Sequence, residues 1–278
     1  EGEPFPSIEF EEMQHEIRLL EIRDSVLDES SFNKISRASH TVNQLVKFLK
    51  NKRDECPRLS HTQKDLAYTK DLIDPIAKVF DAKGQISDTA SSNLSAIREE
   101  MTGLRRKISR IFNRVMKDLQ VKGMLDDIRE GFVNNRRVLA VESTYKRRVN
   151  GNVLGSSNTG TITFIEPGAV IPLNHEFEIL RDDERKEKRR ILKELTRVAR
   201  RNLPLIRKYQ TALIEFDWIQ ARTKLAIEFN ACLPGIMNNP GMHLIEAYHP
   251  LLVQTNEAIG IQTHPQTIQL SKNGRIVV

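Results

Sequence analysis

The feature that most constrains this chain is an unbroken apolar seam between Leu94 and Leu119. Leu94, Ile97, Met101, Leu104, Ile108, Ile111, Val115 and Leu119 recur at steps of three and four residues for more than three heptads. That period predicts one long α-helix laid against a partner. With Ser87 or Asp88 as N-cap, a helix from Asp88 to Lys122 runs about 50 Å at 1.5 Å per residue. It is longer than a small domain is wide, so it is expected to project.

A matching helix is expected from Pro172 to about Asn202. Its seam is Leu173, Phe177 and Leu180, then Ile191, Leu195 and Val198, with ten consecutive charged residues, Arg181 to Arg190, between them. Asp182–Lys186 and Glu184–Lys188 sit at i,i+4 and support the helix locally. A helix polar all round there is expected to cross solvent between two anchored ends.

Between the two helices the period changes. Val138–Val141, Val149–Leu154 and Thr161–Ile165 are short β-prone runs. Asn134-Asn135, Asn150-Gly151 and Asn158-Thr159-Gly160 separate them with hairpin-turn chemistry. A small antiparallel sheet of three or four strands follows.

Helical spacing covers Ser7 to about Lys52 and Thr62 to Val79, with a restart at Asp74-Pro75, and returns from Leu205 to Asn230. After Pro234-Gly235 and Pro240-Gly241 the period falls to two. Strands are expected at Met242–Ala247, Ile259–Thr263, Thr267–Leu270 and Arg275–Val278. The predicted fold is mainly α: a helical core and two long antiparallel lever helices carrying a small antiparallel β clamp-like tip, plus truncated β strands at the C-terminus. The corresponding segments are 1–86 and 205–240 for the core, 87–123 and 168–204 for the levers, 124–167 for the tip and 241–278 for the start of another domain. The chain lacks an initiator Met and stops inside a strand-like run, so a piece of a longer protein is expected.

The placement of charge bears on the functional class. Between Arg98 and Arg148 there are fourteen Lys/Arg against seven Asp/Glu, an excess of seven, while the rest of the chain is at −1. Localised excess of one sign is the footprint of a polyanion binder, or else of a solvated basic helix face. The two cysteines, Cys56 and Cys232, form no framework, which fits a reducing cytoplasmic setting. No apolar run reaches the roughly 18 residues of a membrane span, so no membrane partner is expected.

Several separated motifs then resemble one family. Ile86, Asp88, Ala90-Ser91, Leu94 and Ile97-Arg98 fit I-x-D-x-A-S-x-x-L-x-x-I-R. Tyr145 to Phe164 follows, without a gap, a Tyr-Arg-Gly-Arg-Val-Pro-Gly pattern that ends in Phe, keeping Tyr145, Arg148, Val149, Gly151, Ser157, Gly160 and Phe164. Ile165-Glu166-Pro167 and Leu173-Asn174-His175-Glu176 continue it, then Asp217 and Ala221, then His249-Pro250-Leu251-Leu252. This is similar to the MutS family of ATPases, in its second, recombination-suppressing bacterial branch. The likeness covers Ile86 to Val278 well and the first 85 residues loosely. It departs at Tyr248 (Arg is common), Asn150 (Pro is usual) and Lys146-Arg147, where Arg147 replaces a common Gly.

The resemblance implies a core, levers and clamp, followed by an ATPase domain that dimerises. ATP and magnesium are expected for the full-length protein, with a possible C-terminal nuclease domain. This chain contains no Gly-Lys-Ser/Thr loop, so no cofactor and no ATP hydrolysis are expected of it. The implied partners are branched or duplex DNA, or ribosomal RNA, with a homodimer for the full-length protein.

The candidate nucleic-acid-binding residues are Arg136, Arg137, Lys146, Arg147 and Arg148, as phosphate contacts that position without reading bases. The alternative for them is a charged sheet edge that blocks aggregation. Arg105, Arg106, Lys107 and Arg110 are expected as outward lever positions, and Tyr145 as packing or a stacking ring. The seven histidines lack metal-ligand spacing, and no catalytic constellation is found, so no catalytic or metal residue is proposed. Three functions compete: a DNA-binding arm coupled to ATP state, a ribosome-binding arm for rescue of collided ribosomes, and a structural coiled-coil interaction arm.

Overall fold

A computed structural model describes residues 5–55, 57–62, 66–236, 238 and 241–270, with the backbone alone for 60–62. The chain divides into two units, Glu1–Leu213 and Ile214–Val278. The fold is mainly helical with small antiparallel sheets, as the periodicity predicts.

The first unit opens with α1 (Gln14–Glu21), α2 (Glu29–Asn51), α3 (Pro57–Thr62) and α4 (Ile73–Val79). The single helical run expected from Ser7 to Lys52 is broken at Ile22–Asp28. Asp24 turns with φ +64°, and the Asp28 carboxylate accepts from Ser31 N at 2.8 Å to cap α2. Helix in the next stretch is confined to α4; Leu66–Lys70 has no regular structure, and 63–65 lie outside the described residues. Asn43 holds this stretch by its side chain, donating to the Thr69 carbonyl at 2.8 Å. Phe32, Ile35, Val42 and Leu45 of α2 are fully or almost fully buried with Leu20, Ile76 and Phe80. At about 25 cal/mol per Å², each such side chain is worth about 2 kcal/mol.

A short 3-10 turn (Asp88–Ala90) leads into α5 (Ser92–Val121), which packs against α6 (Ile171–Arg201). The cap of α5 is Ser91, whose hydroxyl accepts from Leu94 N at 3.0 Å; Ser87 caps the 3-10 turn instead. The helices are antiparallel: Ser91 meets Glu187, Arg98 meets Glu184, and Arg105 lies over Phe177. The C-terminal half of α6 joins the core, where Thr196 Oγ1 accepts from Leu27 N at 3.0 Å. Arg200 donates to the carbonyls of Leu20, Ile22 and Ser25.

The charged run Arg181–Arg190 does not cross solvent unsupported. Glu187 within it is only 6% exposed, and Arg98 reaches Glu184 at 2.8 Å across the helix pair. Burial works against the Arg98 charge, yet Glu184 and Asp88 together hold its pKa above the ordinary value. A polar face packed by ion pairs and a seam crossing solvent share the same periodicity, so sequence could not separate them.

Between the long helices lies a four-stranded antiparallel sheet in the order β1-β2-β4-β3: β1 (Leu125–Val133), β2 (Arg136–Glu142), β3 (Gly151–Ser156) and β4 (Ile162–Pro167). Strand β1, unmarked by any expected run, is an edge strand; its register slips between Leu125 and Glu130, with Arg129 at φ +59°. Asn134 and Asn135 both take positive φ, the two-residue hairpin their chemistry favours. Leu139, Val141 and Ile165 pack on Phe112 and Leu119 of α5 with Val149 and Val170. The seam thus changes partner: Leu94, Met101 and Leu104 are buried early in α5, and further on Phe112 joins the expected Ile108, Ile111 and Val115 against the sheet.

In the second unit, β5 (Met242–Ala247) pairs antiparallel with β6 (Gln266–Leu270). The boundary between the units falls within α7 (Leu203–Glu228). The strand expected at Ile259–Thr263 is absent. α8 (Pro250–Ala258) precedes that stretch, capped by His249 and opened by Pro250, and the chain turns off after it at Gly260 with φ +71°. The run Arg275–Val278 lies outside the described residues.

Candidate nucleic-acid interface

Because Arg105 is level with Phe177 and α6 begins at Ile171, the last roughly three turns of α5 extend past α6. The sheet covers those turns. Leu125 pairs with Val141 at the end beside Gly123, and the Ser157–Thr161 turn is joined there by Ser143, which donates to Gly160 O at 2.7 Å. The Asn134-Asn135 hairpin is at the opposite end and turns back towards the helix pair, sharing a groove with Arg105 and Phe177.

This geometry separates the five candidate residues into two groups. Arg136 and Arg137 stand beside the hairpin, and each has a carboxylate. Arg136 donates to both oxygens of Glu166, at 2.9 and 3.1 Å. Glu166 is fully buried and also accepts from Asn174 at 2.6 Å. Arg137 donates through Nε to Glu130 at 2.7 Å, with its guanidinium 4.2 Å from the Phe112 ring centre. Arg136 ties β2 to β4, and Arg137 ties β2 to β1 and to α5.

Lys146, Arg147 and Arg148 occupy an exposed turn after β2. Arg148 stacks over Tyr145 at 5.7 Å, and Tyr145 packs on the sheet core. Among the described residues no carboxylate pairs with any of the three. The same holds for Arg106, Lys107, Arg110, Arg114 and Lys117, all exposed on α5, and for Lys122 at its C-cap. On helix α6 Arg181, Arg185, Lys186 and Arg190 each pair with an acid on their own helix, while the exposed Arg189, Lys193, Arg197 and Arg201 have no carboxylate partner among the described residues. Exposed cations without an acidic partner are therefore most numerous on α5 and the 146–148 turn, the two segments that border the sheet.

The family motifs turn out to hold this frame. Arg98 pairs with Asp88 and donates to Ile86 O at 2.9 Å, so three residues of one motif close the base of α5. Glu166 and Asn174 bind one another, and Gly151 lies so close to Glu166 that a Cβ would meet Ile165 Cγ2 at 2.8 Å. One residue on the groove had no signal in the charge reading: Phe132, exposed at the end of β1. No group of three His, Cys, Asp or Glu among the described residues converges as a metal site. No helix among them is long and apolar enough to cross a membrane.

No family model matches the chain. Curated proteins named Endonuclease MutS2 do. The one from Carboxydothermus hydrogenoformans is 30% identical over 259 residues, 88% of this chain and 33% of its own length. That of Geobacillus sp. is 28% identical over 242 residues, 87% of this chain and 30% of its own. That of Listeria innocua is 32% identical over 198 residues, 71% of this chain and 25% of its own. The chain thus spans about a third of the length of the curated relatives it matches. The chain belongs to the MutS family, in its MutS2 branch.

Proposed function

We propose that this chain is the nucleic-acid-binding arm of a DNA repair or recombination-control ATPase. The observation that carries the reading is the row of exposed cations without acidic partners on α5 and the 146–148 turn. A duplex presents one phosphate charge per about 1.7 Å of axis, so an extended row of cations meets several at once. Lys146, Arg147 and Arg148 are assigned the phosphate contacts. Arg136 and Arg137 brace the sheet behind them and add their charge at longer range.

In the same reading the full-length protein is a cytoplasmic homodimer that uses ATP and magnesium through a phosphate-binding loop. The 278 residues contain no such loop, so no residue here is assigned to either group. The two antiparallel helices, tied by Arg98–Glu184 and Ser91–Glu187, are the path by which nucleotide state reaches the sheet.

The test is binding of the whole chain to labelled branched and blunt duplex DNA across a salt series. Affinity should fall steeply, by about 0.9 decades per decade of salt for each phosphate neutralised. Changing Lys146, Arg147 and Arg148 to Glu together should remove at least about 100-fold of the affinity at low salt, with helicity unchanged. Parent-like binding by that variant would sink the assignment. Retention of ribosomal subunits with indifference to DNA would move the same cations to ribosomal RNA.

A further inference from the structure

Phe132 is 75% exposed at the end of β1, directly opposite Arg137 in the strand pairing. It overhangs a groove between the hairpin and the α5–α6 pair, of about 470 Å³, whose walls include Arg105, Ser109, Asn135, Phe177 and Arg181. That volume lies in the range of small-ligand sites.

Most of the groove's charges are already matched. Arg136, Arg137 and Arg181 have Glu166, Glu130 and Glu178, and Glu184 has Arg98. Arg105 alone among the lining cations has no carboxylate partner among the described residues; its guanidinium rests 4.9 Å from the Phe177 ring centre. The groove therefore offers one exposed aromatic ring, one uncompensated cation and the neutral hydrogen-bonding side chains of Ser109 and Asn135, beside Asn174, whose amide nitrogen already donates to Glu166.

An unpaired nucleotide is the complement of that set: one planar base, one phosphate charge and a free hydrogen-bonding edge. A base inside a duplex is covered on both faces and has no ring surface to give. An acidic peptide carries charge residue after residue, and the groove has a single uncompensated cation, Arg105, to meet it. We infer that the groove holds one unpaired nucleotide, with the base stacked on Phe132 and the phosphate on Arg105. This rests on the nucleic-acid reading above and adds a preference for junctions between paired and unpaired strands.

The experiment compares the full chain with Phe132→Ala and Phe132→Trp on a blunt duplex and on the same duplex with a short single-stranded flap, in DNA and RNA versions. The flap carries 2-aminopurine at its first unpaired position. Phe132→Ala should weaken flap binding by about 5- to 100-fold, leave blunt-duplex affinity unchanged and abolish the quenching of 2-aminopurine; Phe132→Trp should restore both. The strand type whose flap responds identifies the nucleic acid held. Equal binding of the flap by parent and Phe132→Ala overturns the inference, as does an equal loss on flap and blunt duplex. If the Lys146/Arg147/Arg148 reversal binds like the parent while Phe132→Ala still loses the flap, the turn assignment falls and the groove stands. If the parent binds no nucleic acid, both fall.

Discussion

The Ser91 hydroxyl does two things at once: it accepts from Leu94 N at 3.0 Å to start α5, and it donates to Glu187 Oε1 on α6 at 2.7 Å. One side chain fixes both where the first long helix begins and which turn of the second lies beside it. Ser91→Ala should cost about 1–2 kcal/mol, the loss of a cap together with its cross-helix bond. Urea denaturation of parent and variant measures it. A cost below a few tenths would mean that neither bond matters.

The same cluster makes stability depend on pH. The Arg190 guanidinium holds the Glu187 carboxyl at about 2, against an ordinary 4.5, with help from Ser91 and Asn93 and against the opposing effect of burial. Its folded-state pKa is depressed, so the stabilisation is complete above about 4.5 and is lost as pH falls towards 2. Denaturant midpoints of the parent should decline across that window, and those of Glu187→Gln should decline less. Parallel profiles for the two proteins would remove Glu187 from the account.

Arginines that look equivalent in sequence should separate by stability. Arg136→Ala leaves the fully buried Glu166 with Asn174 alone. Even allowing for the solvent that reaches the guanidinium, that should cost about 2–3 kcal/mol. Lys146→Ala and Arg147→Ala touch no partner and should shift stability by less than about 0.5 kcal/mol. Thermal melts of the three variants check this. A harmless Arg136→Ala would return that residue to the free cations.

What was legible in the sequence follows from the range of the interaction that decides it. The long helices, the Asn134-Asn135 hairpin and the sheet between the helices rest on local periodicity and turn chemistry, and the sequence carries both. Strand β1 was missed because its register slip and the Asp126-Asp127 pair break the alternation that marks a strand. Helix α8 was missed because a short apolar run after Pro reads equally as a turn. The charge excess of α5 was countable. Which cations remain free was not, because Glu130 and Glu166 reach Arg137 and Arg136 only across strands. The motif positions Asp88, Ser91, Arg98, Glu166 and Asn174 brace the frame, while Lys146 and Arg147, where the chain departs from the family pattern, stand exposed.

The tightest approach in the sheet sets the last expectation. Gly151 opens β3 opposite Pro167, and a Cβ there would press on the Glu166 carbonyl and on Ile165 Cγ2. Neither neighbour can yield cheaply: the carbonyl is backbone, and Ile165 is fully buried among Leu139, Val141 and Phe112. The clash is steric, since the Gly151 backbone is not among those with positive φ. Gly151→Ala should therefore lose about 3 kcal/mol, more than an exchange at the open Gly103, which has no atom within 4 Å of a Cβ and where a helical Ala should gain up to about 1 kcal/mol. Melting temperatures of the two variants give opposite signs if close packing is what holds β3 on β4; a stable Gly151→Ala would place the strand elsewhere.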